Sequence, residues 1–382
     1  MSARAVDVER RTTPVELLWD LVFVFAVTQV TRLLAHDLSW AGFGRAMLVL
    51  ALVWWAWSAF VWVTNAHNPA DPRVRGVLFA AMLLAFVVAL AVPGAFGDSA
   101  TWFVVAYSGV RFLHLGLYVD AARKGRAAMR AITGFSSTVT IGMALLVAGS
   151  QLDDPWRSVL WAAAAAIDYA GPAWLTRKQL AALQRVAVEH FAERYSLFII
   201  ICLGESVVAT GLGAAEHRLD AGIVAGASLV LLVTIGLWCA YFVNVADEAQ
   251  AALATHARPV LAAADAYSYV HLLLVAGIIV FAVGAEGTVA GVADPLVDAA
   301  RLALCGGVAL YLVGHVAFAL RISARLRVDQ GVAAVACLGV YVVAADMPAW
   351  STAALVAGVL LVLVARDAAA HRATAGRAEP LA

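Results

Sequence analysis

Long apolar runs set off by short polar breaks dominate this chain. Most are as long as a helix that crosses a hydrocarbon layer, which takes about 20 residues. Twelve runs are predicted as helices, at 14–34, 46–64, 76–95, 101–119, 131–149, 156–174, 192–212, 220–244, 265–286, 299–320, 331–347 and 350–365, the last two being the shortest. Hydrophilic connectors divide some of them, namely NAHNPADPRVR (65–75), AARKGRAAMR (121–130) and TRKQLAALQRVAVEH (176–190); other connections are brief and carry little positive charge. The predicted fold class is an all-α polytopic membrane protein with about 12 transmembrane helices.

Composition narrows the picture. With 63% hydrophobic and 14% charged residues in 382, the chain is neither a soluble enzyme nor a disordered segment nor a fibre. Lys+Arg and Asp+Glu balance at 26 each, which offers no electrostatic footprint for nucleic acid. Where the basic residues fall is more telling. If the N-terminus is cytoplasmic, only Arg32, Arg45, Arg157, Arg218 and Arg301 fall outside, Arg111 lies within a span, and the other twenty are cytoplasmic. That bias predicts both termini inside. The first run carries Glu16 and Asp20 and no small-residue cleavage site, so it reads as a retained helix rather than a cleaved signal. Cys202, Cys239, Cys305 and Cys337 stand far apart inside apolar runs and read as packing residues.

A weak internal repeat is visible. VELLWDLVFVFAVTQVTRLL (15–34) aligns with AERYSLFIIICLGESVVATG (192–211), and MLVLALVWWAWSAFVW (47–62) aligns with SLVLLVTIGLWCAYFV (228–243), which pairs Trp57 with Trp238 and Phe60 with Tyr241. The organisation expected is a cytoplasmic N-terminal segment (1–13), a first six-helix half (14–175), a cytoplasmic linker (176–191), a second six-helix half (192–365) and a cytoplasmic tail (366–382). The halves would be parallel, related by an axis along the membrane normal.

Ionisable residues inside spans are costly, so they face the bundle interior and pair, and they are the first functional suspects. Glu16 and Asp20 lie four apart on one face of the first helix. Thr13, Pro14 and Glu16 also read as N-cap, first residue and third residue of a capping box. Asp20 lies a turn deeper and cannot cap, so its burial needs another partner. In the seventh run His190, Arg194, Ile201 and Glu205 fall near one stripe, with Glu205 near mid-membrane in LGES, while Glu193 and Arg194 sit at the cytoplasmic boundary. Arg111 and His114 in the fourth run and Asp168 in the sixth share a depth. A buried guanidinium has no neutral form, so Asp168, Glu205 or Asp20 must serve Arg111, either as a fixed ion pair or as part of an anion-recognition site. His271 and His315 complete the set of candidates for an ion or substrate path.

Other chemistry is missing. No HxxxH or Glu-x-x-His pair on one helix supports a metal, and no cofactor is expected. No phosphate loop, nucleophile elbow or dinucleotide fingerprint appears. Trp40, Trp102, Trp156 and Trp350 stand at run ends, as interfacial belts require, whereas WWAW (54–57) with Trp62 is read either as packing or as the lining of a cavity.

VELLWDLVFVFAVTQVTRLL, then WWAWSAFVWVTNAHNPADPRVRGVLFAAML, then VRFLHLGLYVDAAR and HFAERYSLFIIICLGESVVATG, resemble in order and spacing the bacterial low temperature requirement protein A family, over about 12–290. The resemblance implies a polytopic protein of the bacterial inner membrane, named for a cold-growth phenotype, with no settled biochemical activity. Three functions therefore stand open. One is a secondary transporter, proton-coupled through the interior acids, for a small-molecule or ion substrate. Another is a membrane-embedded enzyme acting on a lipid or lipid-linked substrate, with Glu205 or Asp20 as acid or base. The third is a non-catalytic sensor or assembly factor. The bilayer is the one partner expected in all three; the oligomeric state is not legible.

Overall fold

The computed structural model describes residues 12–66, 69, 71–123, 129–175, 177, 187–215, 217–243 and 245–378. Regular structure among them is helical throughout, in thirteen helices. They are α1 (Pro14–His36), α2 (Trp40–Ala66), α3 (Pro72–Ala91), α4 (Ala100–Arg123), α5 (Met129–Ser150), α6 (Trp156–Ala170) and α7 (Val188–Ala215). The chain continues with α8 (Ala221–Phe242), α9 (Ala246–Thr255), α10 (Pro259–Ala290), α11 (Asp298–Ser323), α12 (Val328–Val343) and α13 (Ala349–Ala378). Nine described helices are long and apolar enough to cross a membrane, namely α1 to α4, α7, α8, α10, α11 and α13. The predicted runs at 131–149, 156–174 and 331–347 are helical as α5, α6 and α12 but fall short of that standard. Helix α9 is amphipathic and short, and no apolar run announced it. The N-terminal residues to 11 and most of the expected 176–191 linker lie outside the described residues.

Local sequence explains where the helices begin. Thr13 and Glu16 close a reciprocal capping box ahead of α1, with Pro14 as its first residue. The Ser39 hydroxyl accepts from the Gly42 N–H at the start of α2, and hydrogen bonds from the Ser39 hydroxyl and N–H hold the preceding Asp37 carboxyl below its usual range. Asp71 caps α3 with Pro72 as its first residue, and Asp220 caps α8. Two helices loosen into π turns. Helix α6 passes into one at Gly171–Leu175, and α10 contains one at Ala264–Val270; such turns free backbone groups and cluster at functional positions.

Contacts divide the chain into two compact units. The first is Met1–Phe198 with Leu253–Ser268, the second Ile199–Ala252 with Tyr269–Ala382. In the first, α1 packs on α2 and α3, α4 on α3 and α5, and α5 on α6. Its core is aromatic and polar: Trp19, Trp54, Trp57, Phe60 and Trp161 are almost fully buried, together with Arg111 and Arg194. In the second, α10 and α11 lie side by side, α12 packs on α11, and α13 on α8. Glycines let α10 and α11 approach backbone to backbone: a Cβ on Gly284 would stand 2.3 Å from the Leu304 nitrogen, and one on Gly307 2.3 Å from the Phe281 nitrogen. Leu83, Val335 and Leu361 project from the helices into the surroundings, with Trp40, Trp102, Trp156 and Trp350 exposed near helix ends, where an interfacial belt lies.

Candidate functional site

The largest concentration of buried charge joins α1 to the first turns of α7. Glu16 and Asp20 occupy one stripe of α1, His190 and Arg194 one stripe of α7, each pair spaced by four, and all four side chains are shut off from the surface. The two stripes interlock. Arg194 Nη1 stands 3.1 Å from Glu16 Oε1 and Nη2 donates to Asp20 Oδ1 at 2.5 Å. His190 Nε2 lies 3.1 Å from Glu16 Oε1. The Trp57 indole N–H of α2 donates to Asp20 Oδ1 at 2.8 Å, and the Thr13 N–H and hydroxyl each donate to Glu16 Oε2 at 2.9 Å. Glu16 therefore both caps α1 and binds α7. Asp20 Oδ2 and Arg194 Nε have no hydrogen-bond partner among the described residues.

Charge counting gives this cluster a property that a plain ion pair lacks. Two carboxylates against one permanently protonated guanidinium leave one negative charge, and a single proton, on His190 or on an acid, restores neutrality. Burying net charge in a low-dielectric bundle is expensive, so the cluster favours holding that proton and favours releasing it only when another cation or a shift of helices compensates.

A second buried pair lies between α4 and α6. Arg111 Nη2 donates to both Asp168 oxygens, each at 2.8 Å. Asp168 is the carboxylate that serves Arg111. His114, one turn along α4, packs edge-on against Tyr118 and Phe135 and beside Phe60 of α2. A third polar region surrounds the π turn of α10: Trp54 Nε1 donates to the Ser268 carbonyl at 2.7 Å, Trp62 Nε1 to the Ser268 hydroxyl at 2.8 Å, and the Tyr195 hydroxyl joins Ser268 at 3.0 Å to Ser58 at 2.7 Å. The WWAW tryptophans are thus core residues whose indole N–H groups hold polar partners. Nearby Arg177 makes a two-nitrogen pair with Asp265 at 2.8 and 2.6 Å.

The remaining candidates stand apart from these. Glu193 is exposed and accepts from the N–H and hydroxyl of Thr12, at 3.1 and 2.8 Å. Glu205 is buried farther along α7, next to Ser206, whose hydroxyl meets that of Thr234 on α8 at 3.0 Å. His271 and His315 belong to the second unit, where Tyr241 joins them: its hydroxyl bonds His271 Nε2 at 2.9 Å and its ring lies 5.7 Å from that of His315. Arg194, read from sequence as a boundary residue, is fully buried, and the roles of His190, Trp57 and Tyr195 were not foreseen. The signal was present as two matching four-residue spacings, Glu16 with Asp20 and His190 with Arg194, of opposite sign. Among the described residues no three His, Cys, Asp or Glu side chains are arranged to hold a metal ion.

Comparison with known proteins places the chain. The family described as bacterial low temperature requirement A protein (LtrA) matches residues 11–365. Uncharacterized protein RA0937 of Rhizobium meliloti (strain 1021) is 30% identical over 321 residues, covering 81% of this chain and 77% of that protein. No solved structure matches. The chain belongs to the bacterial low temperature requirement A family and is a multi-pass membrane protein.

Proposed function

We propose that this member of the low temperature requirement A family is a secondary transporter of the bacterial inner membrane, with both termini cytoplasmic, and that it couples substrate movement to a proton. The observation that carries this reading is the Glu16–Asp20–His190–Arg194 cluster, which is sealed from the surface and one proton short of neutrality when both acids are ionised. A fixed structural pair needs equal charges; a site that alternately takes up and releases a proton needs this imbalance and a two-state helix contact. In this reading α1 and α7 are the moving contact and Glu205 is a further acid of the path. The twelve-span count and the parallel six-helix halves belong to the same proposal.

The lipid-active enzyme is less well supported. A groove of about 320 Å³ faces outward between α7 and α8, as an acyl chain would require, but its polar lining is Thr210, Ser228 and Thr234, whose hydroxyls bond back to their own helices. No acid or histidine lines it.

The test is a flux assay on the full chain in liposomes carrying an internal pH dye, with gradients of inorganic and small organic solutes imposed. The wild type should acidify or alkalinise the lumen when its substrate gradient is present. Asp20→Asn leaves Glu16 and Arg194 balanced at zero charge, so it should insert normally yet abolish the coupled proton signal. Full proton coupling in Asp20→Asn, or a wild type that moves no protons with any solute, would overturn the proposal.

A further inference from the structure

Two buried arginines of this protein differ in how their donors are used. Arg301 on α11 is saturated: Nε donates to the Tyr341 carbonyl at 3.1 Å, Nη1 to the Leu296 and Ala345 carbonyls at 3.3 and 3.2 Å, and Nη2 to Asp298 at 2.7 Å. That is what a guanidinium looks like when its task is to tie helix ends together. Arg111 is more deeply buried yet directs a single nitrogen at both oxygens of Asp168, and its Nε and Nη1 meet no acceptor among the described residues.

The shortfall extends along α4. The Tyr107 hydroxyl, one turn before Arg111, and the Ser108 hydroxyl also lack partners among the described residues, and both residues are more than nine-tenths buried. Arg111 follows Ser108 by three residues and Tyr107 by four, so both are its neighbours on the helix surface, and Tyr107 lies within electrostatic reach of both Arg111 and Asp168. Native interiors satisfy most buried donors, and each that no protein group satisfies calls for an explanation, such as a bound ion. A group that satisfies these donors must accept hydrogen bonds, and beside a guanidinium an anion does so most strongly.

We infer that Arg111, Tyr107 and Ser108 form an occluded binding site for a small monovalent anion, with Asp168 holding the guanidinium in place. The inference deepens the transporter reading by naming its substrate class. It also fits the coupling: Arg111 and Asp168 cancel, so an arriving monoanion brings one uncompensated negative charge, which a co-transported proton neutralises. Besides Tyr107 and Asp168, the titratable neighbour is His114, which is surrounded by Arg111, the rings of Phe60, Tyr118 and Phe135, and the Ala59 carbonyl.

Binding can be measured without transport. The detergent-solubilised full chain is heated in sodium gluconate, with sodium chloride, nitrate, acetate or sulfate, or neutral acetamide, exchanged in at constant ionic strength. A saturable rise in melting temperature is expected with at least one of chloride, nitrate and acetate, and not with sulfate or acetamide. Tyr107→Phe removes one hydroxyl and keeps the ring, so it should weaken that anion about three- to tenfold. Arg111→Met combined with Asp168→Leu keeps the core neutral and should abolish the response. No response in the wild type, or a response undiminished in both variants, would overturn the anion site. Anion stabilisation that is intact in Asp20→Asn, while that variant's proton flux is lost, separates this site from the coupling cluster; anion binding in a wild type that moves no protons would sink the transporter reading and leave the site standing.

Discussion

The α1–α7 contact of the first unit and the α10–α11 contact of the second are both buried helix pairs, held by opposite means. The first is joined by long polar side chains that reach across a gap: Glu16 and Asp20 to Arg194 and His190, with Trp57 closing one side. The second has almost no gap, because Gly277 on α10 meets Gly307 on α11, Gly284 lies against the Leu304 backbone and Gly314 against Leu274, so that main-chain atoms touch. Glycines seven apart on each helix repeat once every two turns, so one seam stays in register along the pair. A glycine seam has one geometry and tolerates little displacement. A side-chain seam can exchange partners, with Arg194 moving between two carboxylates, so the contact that carries titratable charge is also the one able to shift.

Three substitutions probe that contrast, in falling order of effect. Arg194→Ala should be the most damaging, because it strands two carboxylates in a dry interior; losing one partner of a buried pair costs about 3–5 kcal/mol. Membrane accumulation and thermal unfolding would report it, and adding Glu16→Gln with Asp20→Asn should restore much of the loss. If the triple variant is no better than Arg194→Ala, charge burial is not what the contact balances. Gly284→Val comes next. Its Cβ would meet the Leu304 backbone, which cannot rotate away, so overpacking should cost about 1–3 kcal/mol, and no second side-chain change at 304 should rescue it. Rescue by Leu304→Ala would show that side chains, not main chains, set the spacing. Glu248→Gln in α9 is the smallest: Glu248 pairs with Arg325 and, at 2.8 Å, with Arg327, but the set is partly exposed, so less than about 1 kcal/mol is expected, diminishing further in high salt.

The contrast also explains what could be read before any coordinates. Apolar runs, Pro14 behind a Thr13 cap, and the need of Arg111 for an acid are local or composition-level facts, since the bilayer and the helix backbone impose them on each segment separately. Helix α9 escaped because its polar, Ala-rich sequence has no run to notice, whereas the runs that form α5, α6 and α12 announced themselves as apolar helices. The glycines of α10 and α11 were visible as letters but not as a seam, for nothing in one helix states which neighbour it meets.

Spacing along a single helix was therefore within reach of the sequence: Glu16 with Asp20, His190 with Arg194, and Tyr107 with Arg111 each share a face whatever the fold. Which face meets which was decided only in three dimensions. Packing turned α7 so that Arg194 entered the core instead of the boundary, gave Asp168 and not Glu205 to Arg111, and brought Ser268 to Trp54, Trp62 and Tyr195. The physical reason is that helix periodicity fixes a side chain's azimuth about its own axis, whereas the rotation and partner of each helix follow from the summed packing of all its neighbours.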